Sequence, residues 1–362
     1  MFPPFSKAVP IAAPLTLAIT GSALAFGFYD ALDGGTPLPS IGAFSASTGG
    51  VRSTYAADAL SIFLNPAGLA RRDRPSLTAS GGVLAWKEAF RYGTQRASRS
   101  GTIQGSNCFA VAYPAGEWLV VGAGAAAVAR AEYDGSRYLE QPGLEGEPES
   151  IEMISTGGSQ WEALGSVAAS PTGWLDVGVS SGLRFGTLET EYSSTDEEGA
   201  IDSTSLITIE ISELALRAGA QARADLFLLG VCYCPGGDHY RSSLACGMEV
   251  VAPQLANTIV GIEGEVYSPL ADNDFTGRLH INHPIGTKTA LRVGLSFSEY
   301  PEVSGRGMGF SLGGSRVFGP ARADLAVQWA TRSADGDFVP GEIADRIDDS
   351  TAEFLLGVTL VL

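Results

Sequence analysis

The chain has 362 residues, is 45% hydrophobic and only 17% charged, and carries a formal net charge of −17. This balance excludes a disordered chain, which combines low hydrophobicity with high charge, and it excludes a nucleic-acid partner, whose phosphates need clustered Lys and Arg. Its 46 glycines make it too glycine-rich for a helical protein, and its four cysteines are too few for a disulfide scaffold.

The first element reads as a secretory signal. Lys7 supplies a positive start, Ala8–Ile19 is a short apolar stretch, and Ala23-Leu24-Ala25 is a small-residue cleavage site. Cleavage is expected near Phe26. The stretch is too short, and too interrupted by Pro10 and Pro14, to span a membrane as a helix. No later window is long and apolar enough for a spanning helix; the longest uncharged apolar run is Trp118–Ala129.

Residues 26–75 do not alternate. Asp30–Gly50 is rich in Gly, Pro and Ser. Thr54–Leu64 is apolar enough for a short helix, with Ser53 or Thr54 as the N-cap. Asn65-Pro66 should end it, because proline disfavours helix in the residue before it. A segment carrying Ile62, Phe63 and Leu64 is better buried than exposed, so this region is expected to plug a lumen. Phe26, Phe28, Ile62 and Phe63 are its candidates for touching an apolar ligand. Arg71, Arg72 and Arg74 follow, placed at the rim or against acidic lumen groups.

From Ser76 onward the dominant period is two. Leu291, Val293, Leu295 and Phe297 share one face, and Arg292, Gly294, Ser296 and Ser298 the other. Leu175, Val177, Val179, Leu183 and Phe185 alternate in the same way with Asp176, Ser180 and Arg184. Phe354, Leu356, Val358 and Leu360 form the last apolar face. The pattern predicts about fourteen strands, at 76–86, 106–113, 117–133, 158–170, 173–192, 206–222, 225–234, 241–252, 256–268, 274–281, 288–299, 307–317, 321–332 and 352–361. A slip of register near Ser212-Glu213 predicts a bulge.

The connections alternate in length. Short turns fall at 114–116, 171–173, 223–224, 252–255, 284–287 and 319–320. Longer polar connections lie at 87–105, 134–157, 193–205, 235–240, 269–273, 300–306 and 333–351. Short turns at one rim and long loops at the other are the rhythm of an up-and-down membrane barrel. Trp118 and Trp174 sit just after short turns, and Tyr133, Tyr192, Tyr267 and Tyr300 sit where strands enter long loops, as two interfacial belts require. Small or charged residues on the second face, among them Gly294, Ser296, Gly309, Ser311, Arg184, Asp176, Arg278 and Arg292, suit a wet lumen and not a dry core. The predicted fold is therefore all-β: a transmembrane antiparallel up-and-down β-barrel of about fourteen strands with an N-terminal plug containing a short helix. The predicted division is a signal peptide (1–25), the plug (26–75) and the barrel (76–362).

Motifs for chemistry lack their context. Gly178-Val179-Ser180-Ser181-Gly182 matches G-x-S-x-G but lies inside an alternating strand, where a nucleophile elbow cannot form. The glycines at Gly122 and Gly124 have no following helix for a dinucleotide site. Cys232, Cys234 and His239 match no strong zinc spacing and read as side chains pointing one way from a strand. No enzyme activity, cofactor or metal is expected.

The run AADALSIFLNPAGLA at Ala56–Ala70 resembles the N-terminal motif of the FadL/TodX family of outer-membrane transport barrels. The matching residues are Asn65, Pro66, Ala67, Gly68 and Leu69, with Asp58 at the acidic position upstream. The resemblance implies a fourteen-stranded barrel closed by an N-terminal hatch, with Asp58, Asn65, Pro66, Ala67 and Gly68 in the gate. It implies passive uptake of small hydrophobic molecules, either long-chain fatty acids or aromatic hydrocarbons, by a monomer embedded in outer-membrane lipid. The long hydrophobic capture loop of that family is not evident; the connections at 134–157 and 193–205 are short and acidic. A similar N-P-A-G-L run occurs in PorV-like barrels that serve secretion systems as shuttles or scaffolds, which gives an alternative role with a secretion-system partner. A general diffusion pore is the third reading.

Overall fold

The structure, a computed structural model, describes residues 36–362 except 39, 93–94, 106, 141–147, 196–200, 239, 268–273, 301–304 and 336–345. Phe26 and Phe28, the cleavage site and His239 thus lie outside the described residues. A two-residue strand, β1 (Thr36–Pro37), precedes the barrel wall. The wall comprises β2 (Ser76–Tyr92), β3 (Gln95–Gln104), β4 (Cys108–Pro114), β5 (Leu119–Glu140), β6 (Pro148–Ala169), β7 (Leu175–Thr195), β8 (Ile201–Ala224) and β9 (Phe227–Cys234). It continues with β10 (Ser243–Ala252), β11 (Thr258–Tyr267), β12 (Asp274–Ile285), β13 (Thr289–Tyr300), β14 (Gly305–Phe318), β15 (Ala321–Asp335) and β16 (Arg346–Val361).

Neighbouring wall strands pair antiparallel, and β16 pairs with β2 to close the ring. β3 and β4 together fill one place: β3 pairs with Val83–Tyr92 and β4 with Ser76–Ser80 of the same strand. The barrel therefore has fourteen strands, as the alternation predicts. At the break between β3 and β4 the wall is irregular. β4 leaves β5 at Cys108–Ala126, β5 shifts register between Ala127 and Ala129, and β1 then pairs with Ala129 and Arg130.

The pleat sorts side chains as predicted. Leu291, Leu295, Phe297, Phe310, Leu312, Phe354 and Leu356 are exposed on the outside, and Arg292, Ser311, Asp324, Gln328 and Glu353 are buried on the inside. On β7 the outward apolar set runs from Val177 to Phe185. Eight residues of strand rise about 27 Å, which barrel tilt shortens to roughly 20 Å, close to the apolar band of an outer-membrane barrel.

Three predictions need correction. Much of 87–105, 134–157, 193–205 and 333–351 is strand, because β2, β3, β5 to β8, β15 and β16 extend far past the apolar band. Outside lipid both faces of a strand are wet, so the ladder continues while the apolar alternation that reveals it in the sequence stops. The bulge near Ser212 is absent: β7 and β8 pair in continuous register from Leu175–Ala222 to Ser194–Ser203. The apparent slip arises because Ile211 faces inward against Leu188, with Ile209 beside them. Tyr267 does not join an outer belt; its hydroxyl turns inward and donates to Glu265 Oε2 at 2.9 Å. Trp118 and Trp174 are exposed at the short-turn rim.

A charge in the outward band tests this orientation. Leu295→Arg is expected to cost about 2–4 kcal/mol of folding stability in lipid vesicles, measured by denaturant titration, the penalty for an arginine near the bilayer midplane. A change within 0.5 kcal/mol would show that Leu295 does not face lipid.

Candidate functional site

Residues 38 and 40–70 lie inside the barrel, nearly all of them buried. Their local structure differs from the single helix predicted over Thr54–Leu64. A short helix, α1 (Gly42–Ser47), forms within the Gly/Pro/Ser-rich stretch, and two 3₁₀ turns follow at Ala59–Phe63 and Pro66–Leu69. The caps explain the difference. Asp58 caps the first turn through Leu60 N at 2.9 Å, so Ser53 and Thr54 are not caps. Asn65 caps the second through Ala67 N at 3.1 Å, with Pro66 in the first position, where its missing N–H costs nothing. Asn65-Pro66 does stop one helical turn, and it also starts the next.

The Asn65–Gly68 turn sits against β7 and β8 at closest approach. A Cβ on Gly219 would lie 1.9 Å from Asn65 Oδ1, and one on Gly178 would lie 2.5 Å from the Pro66 carbonyl carbon. Glycine at these two wall positions lets the turn seat. Asn65 Nδ2 donates to Ser53 O and, at 3.2 Å, to Val231 O of the wall. Gly178, the first glycine of the G-x-S-x-G match, thus receives the plug, and Ser180 Oγ donates to Ile62 O at 2.8 Å. Cys232 and Cys234 point inward, and Cys232 Sγ lies 2.9 Å from Leu64 O.

The plug is held differently on its two sides. Toward β4, β5 and β6 the contact is apolar: Leu60, Ile62, Phe63, Leu64 and Leu69 pack with Ala110, Ala112, Val120 and Leu164. Ile62 and Phe63 have no exposed surface, so neither presents a face to the open lumen. Toward β11–β15 ion pairs join the plug to the wall, beside a small apolar cluster of Ala43 and Ala46 with Ala326 of β15 and Leu355 of β16. Asp58 pairs with Arg322 at 2.6 Å, Arg322 with Asp324 at 2.7 Å, and Arg292 with Asp324 at 3.2 Å. Arg292 also lies 3.8 Å above the Phe44 ring. Glu263 accepts from Arg52 N at 3.0 Å and from Ser53 N at 2.6 Å, while Arg278 bridges Glu263 and Glu265 at 2.8 and 2.7 Å. Tyr55 donates to Asp58 Oδ1 at 2.9 Å, and burial, with the Asp58 carboxylate beside it, pushes its phenol well above the ordinary value, so it remains a donor. Nothing in the sequence marked this set as a group, because direct partners such as Asp58 and Arg322 are 264 positions apart. The lumen-face alternation did mark Arg292 and Arg278 individually.

Arg71 lies at the short-turn rim, its Nε 2.9 Å from Asp176 Oδ2, an acceptor shared with Arg223. Both alternatives read from the sequence meet there, a rim position and an acidic lumen partner. A cavity of about 170 Å³ remains between plug and wall on the ionic side, beside Phe44, Thr54, Glu249, Ile259 and His280.

A closed fourteen-stranded barrel with an apolar outer band and an N-terminal plug is an outer-membrane-type barrel fold. No protein-family model matches the sequence, and no curated protein matches it. Solved structures do. The chain is similar to the toluene transporter TodX of P. putida (TM-score 0.64, 13% identity, 90% of this chain and 99% of that one). It is similar to a FadL homologue from Pseudomonas aeruginosa (TM-score 0.63, 12% identity, 90% and 99%) and to the CymD monoaromatic hydrocarbon channel (TM-score 0.62, 14% identity, 90% and 98%). The fold of this chain is thus that of the FadL/TodX barrels, and the likeness first read from Asn65–Leu69 extends over nearly the whole chain.

The seat of the plug is testable by one methyl group. Gly219→Ala is expected to displace Asn65 and give ion currents in planar bilayers at least several-fold above the small leak of the parent barrel. Asp58→Asn, which removes a charge from Arg322 but leaves it Asp324, is expected to destabilise the plug by about 1–3 kcal/mol, read as faster protease cleavage within 50–70. Unchanged currents and cleavage in both variants would mean that these contacts do not hold the plug.

Proposed function

We propose that the chain is an outer-membrane channel for passive uptake of small hydrophobic molecules, gated by its N-terminal plug. It is exported by the signal sequence ending at Ala25, works as a monomer, and acts without catalysis. The observation that carries this reading is the two-sided attachment of the plug. Apolar packing anchors it to β4–β6, while discrete ion pairs latch it to β11–β15, next to a cavity already present on that side. A barrel blocked in this way does not serve ions or sugars, which need a standing aqueous pore. Movement of one flank would open an intermittent path along the ionic side, with Asp58 as latch and Asn65, Pro66, Ala67 and Gly68 as pivot. Ile62 and Phe63 would meet a ligand only when the plug shifts. The structurally similar proteins include a toluene transporter and a monoaromatic hydrocarbon channel, which favours the same broad class here.

The test is uptake of toluene and of palmitate by cells producing equal amounts of folded barrel. Replacing Asn65 and Pro66 together by Ala is expected to raise entry of the transported probe several-fold by unseating the pivot. Unchanged entry of both probes would sink the gate. A scaffold for a secretion system predicts stable co-purification with a partner protein and no uptake of either probe.

A further inference from the structure

The cavity of about 170 Å³ between plug and wall has a polar corner built by the wall. Glu249, Gly261 and His280 are paired neighbours across β10, β11 and β12. A Cβ on Gly261 would collide with the imidazole, so the missing side chain lets the His280 ring lie across β11 and reach Glu249. Its Nε2 is 3.2 Å from Glu249 Oε1, which also accepts from Thr54 Oγ1 of the plug at 2.8 Å. That pairing orients the ring: the carboxylate takes the Nε2–H, and Nδ1 is left as an acceptor. His280 is only 3% exposed, it lines the cavity, and its Nδ1 has no hydrogen-bond partner among the described residues. Asn282, two residues along the same face of β12, lines the same cavity, and its Oδ1 is unpartnered as well. Unpartnered atoms occur elsewhere in the lumen; these two open on one enclosed space.

The rest of the lining decides what that space accepts. Phe44, Val51, Leu228 and Ile259 give it apolar walls. An apolar cavity of about 150 Å³ holds benzene, so this volume suits one aromatic ring. A long-chain fatty acid carries more than twice the heavy atoms of such a ring and does not fit. Arg223, the guanidinium on the lining, is committed to Asp176 Oδ2 and Gln221 Oε1, each at 2.9 Å. A carboxylate would therefore meet the acceptor Nδ1 beside the Glu249 carboxylate. A neutral O–H instead supplies the donor that Nδ1 lacks, while its ring lies among the apolar side chains.

We propose that this cavity binds a neutral phenol, a single ring whose hydroxyl donates to His280 Nδ1. Leu228, Ile259 and Asn282 stand within a few residues of the short-turn ends of β9, β11 and β12, and the Glu263 contacts with Arg52 N and Ser53 N lie on the long-loop side of them. The site is thus the last station before the short-turn, periplasmic rim. The inference deepens the uptake reading and rests on it for the route, while binding is measured separately.

Phenol, toluene and benzoate share one ring and separate the alternatives. Each is titrated by calorimetry against the full-length barrel in detergent, and its entry into proteoliposomes is followed. The expected order of affinity is phenol, then toluene, then benzoate, with about tenfold between the first two, as one hydrogen bond in a dry site allows. His280→Leu is expected to bring phenol down to the level of toluene and leave toluene unchanged. Ile259→Phe, which fills the cavity, is expected to weaken both several-fold. Phenol bound no tighter than toluene, benzoate bound as well as phenol, or a His280→Leu barrel that keeps the parent's preference would overturn the proposal. Should His280→Leu fail to fold, Ile259→Phe decides: phenol bound as in the parent overturns the site, and joint weakening of phenol and toluene supports it. If phenol is preferred in calorimetry but none of the three enters vesicles, the site stands and the uptake reading fails. If all three enter and bind alike, uptake stands and the site falls.

Discussion

Backbone pairing in lipid is the constraint from which the rest of the molecule follows. No water in the bilayer core can satisfy a free N–H or C=O, so a sheet that enters it must close. Here closure is made by β16 on β2 and by β5 on both β4 and β6. Closure with fourteen strands has a second consequence. An eight-stranded barrel can fill its interior with side chains, but a wider one leaves a lumen. Something else must occupy that lumen, and residues 40–70 do so.

The wall is adapted to receive them. Gly178 and Gly219 are removed side chains, places where a methyl group would strike the backbone of Pro66 or the amide of Asn65. Opposite them, Arg322, Arg292 and Arg278 reach inward to carboxylates that the plug or the neighbouring strands provide. Apolar packing on one flank and charge pairing on the other give the plug unequal attachments. Apolar contact loses stability in proportion to the surface exposed, whereas a buried ion pair that separates leaves charges short of a partner until water reaches them.

Burying this much charge in a barrel is tolerable only because the groups are arranged in chains. Asp58, Arg322, Asp324 and Arg292 alternate in sign, as do Arg52, Glu265, Arg278 and Glu263. Each group is desolvated, but each also has at least one partner, and loss of a single member would leave its neighbours short.

The barrel was legible in the sequence because lipid and lumen impose opposite chemistry on alternate residues. Leu291, Leu295 and Phe297 against Arg292 and Gly294 declare a two-faced strand without help from any distant contact. The same signal failed where its cause was absent: past the membrane both faces are wet, so the outer parts of β5 to β8 read as loops, and an inward Ile211 looked like a slipped register. The Asn65–Leu69 turn was legible through its own cap and proline. The latch was not, since Asp58 and Arg322 are 264 positions apart and nothing local marks them as partners. The sequence by itself determined the strands, their two faces and the presence of a buried plug, because period, capping and burial are properties of neighbours in the chain. Only the tertiary structure decided which lumen charges meet the plug and where it is anchored, because those pairings depend on how a closed sheet brings remote strands around a common interior.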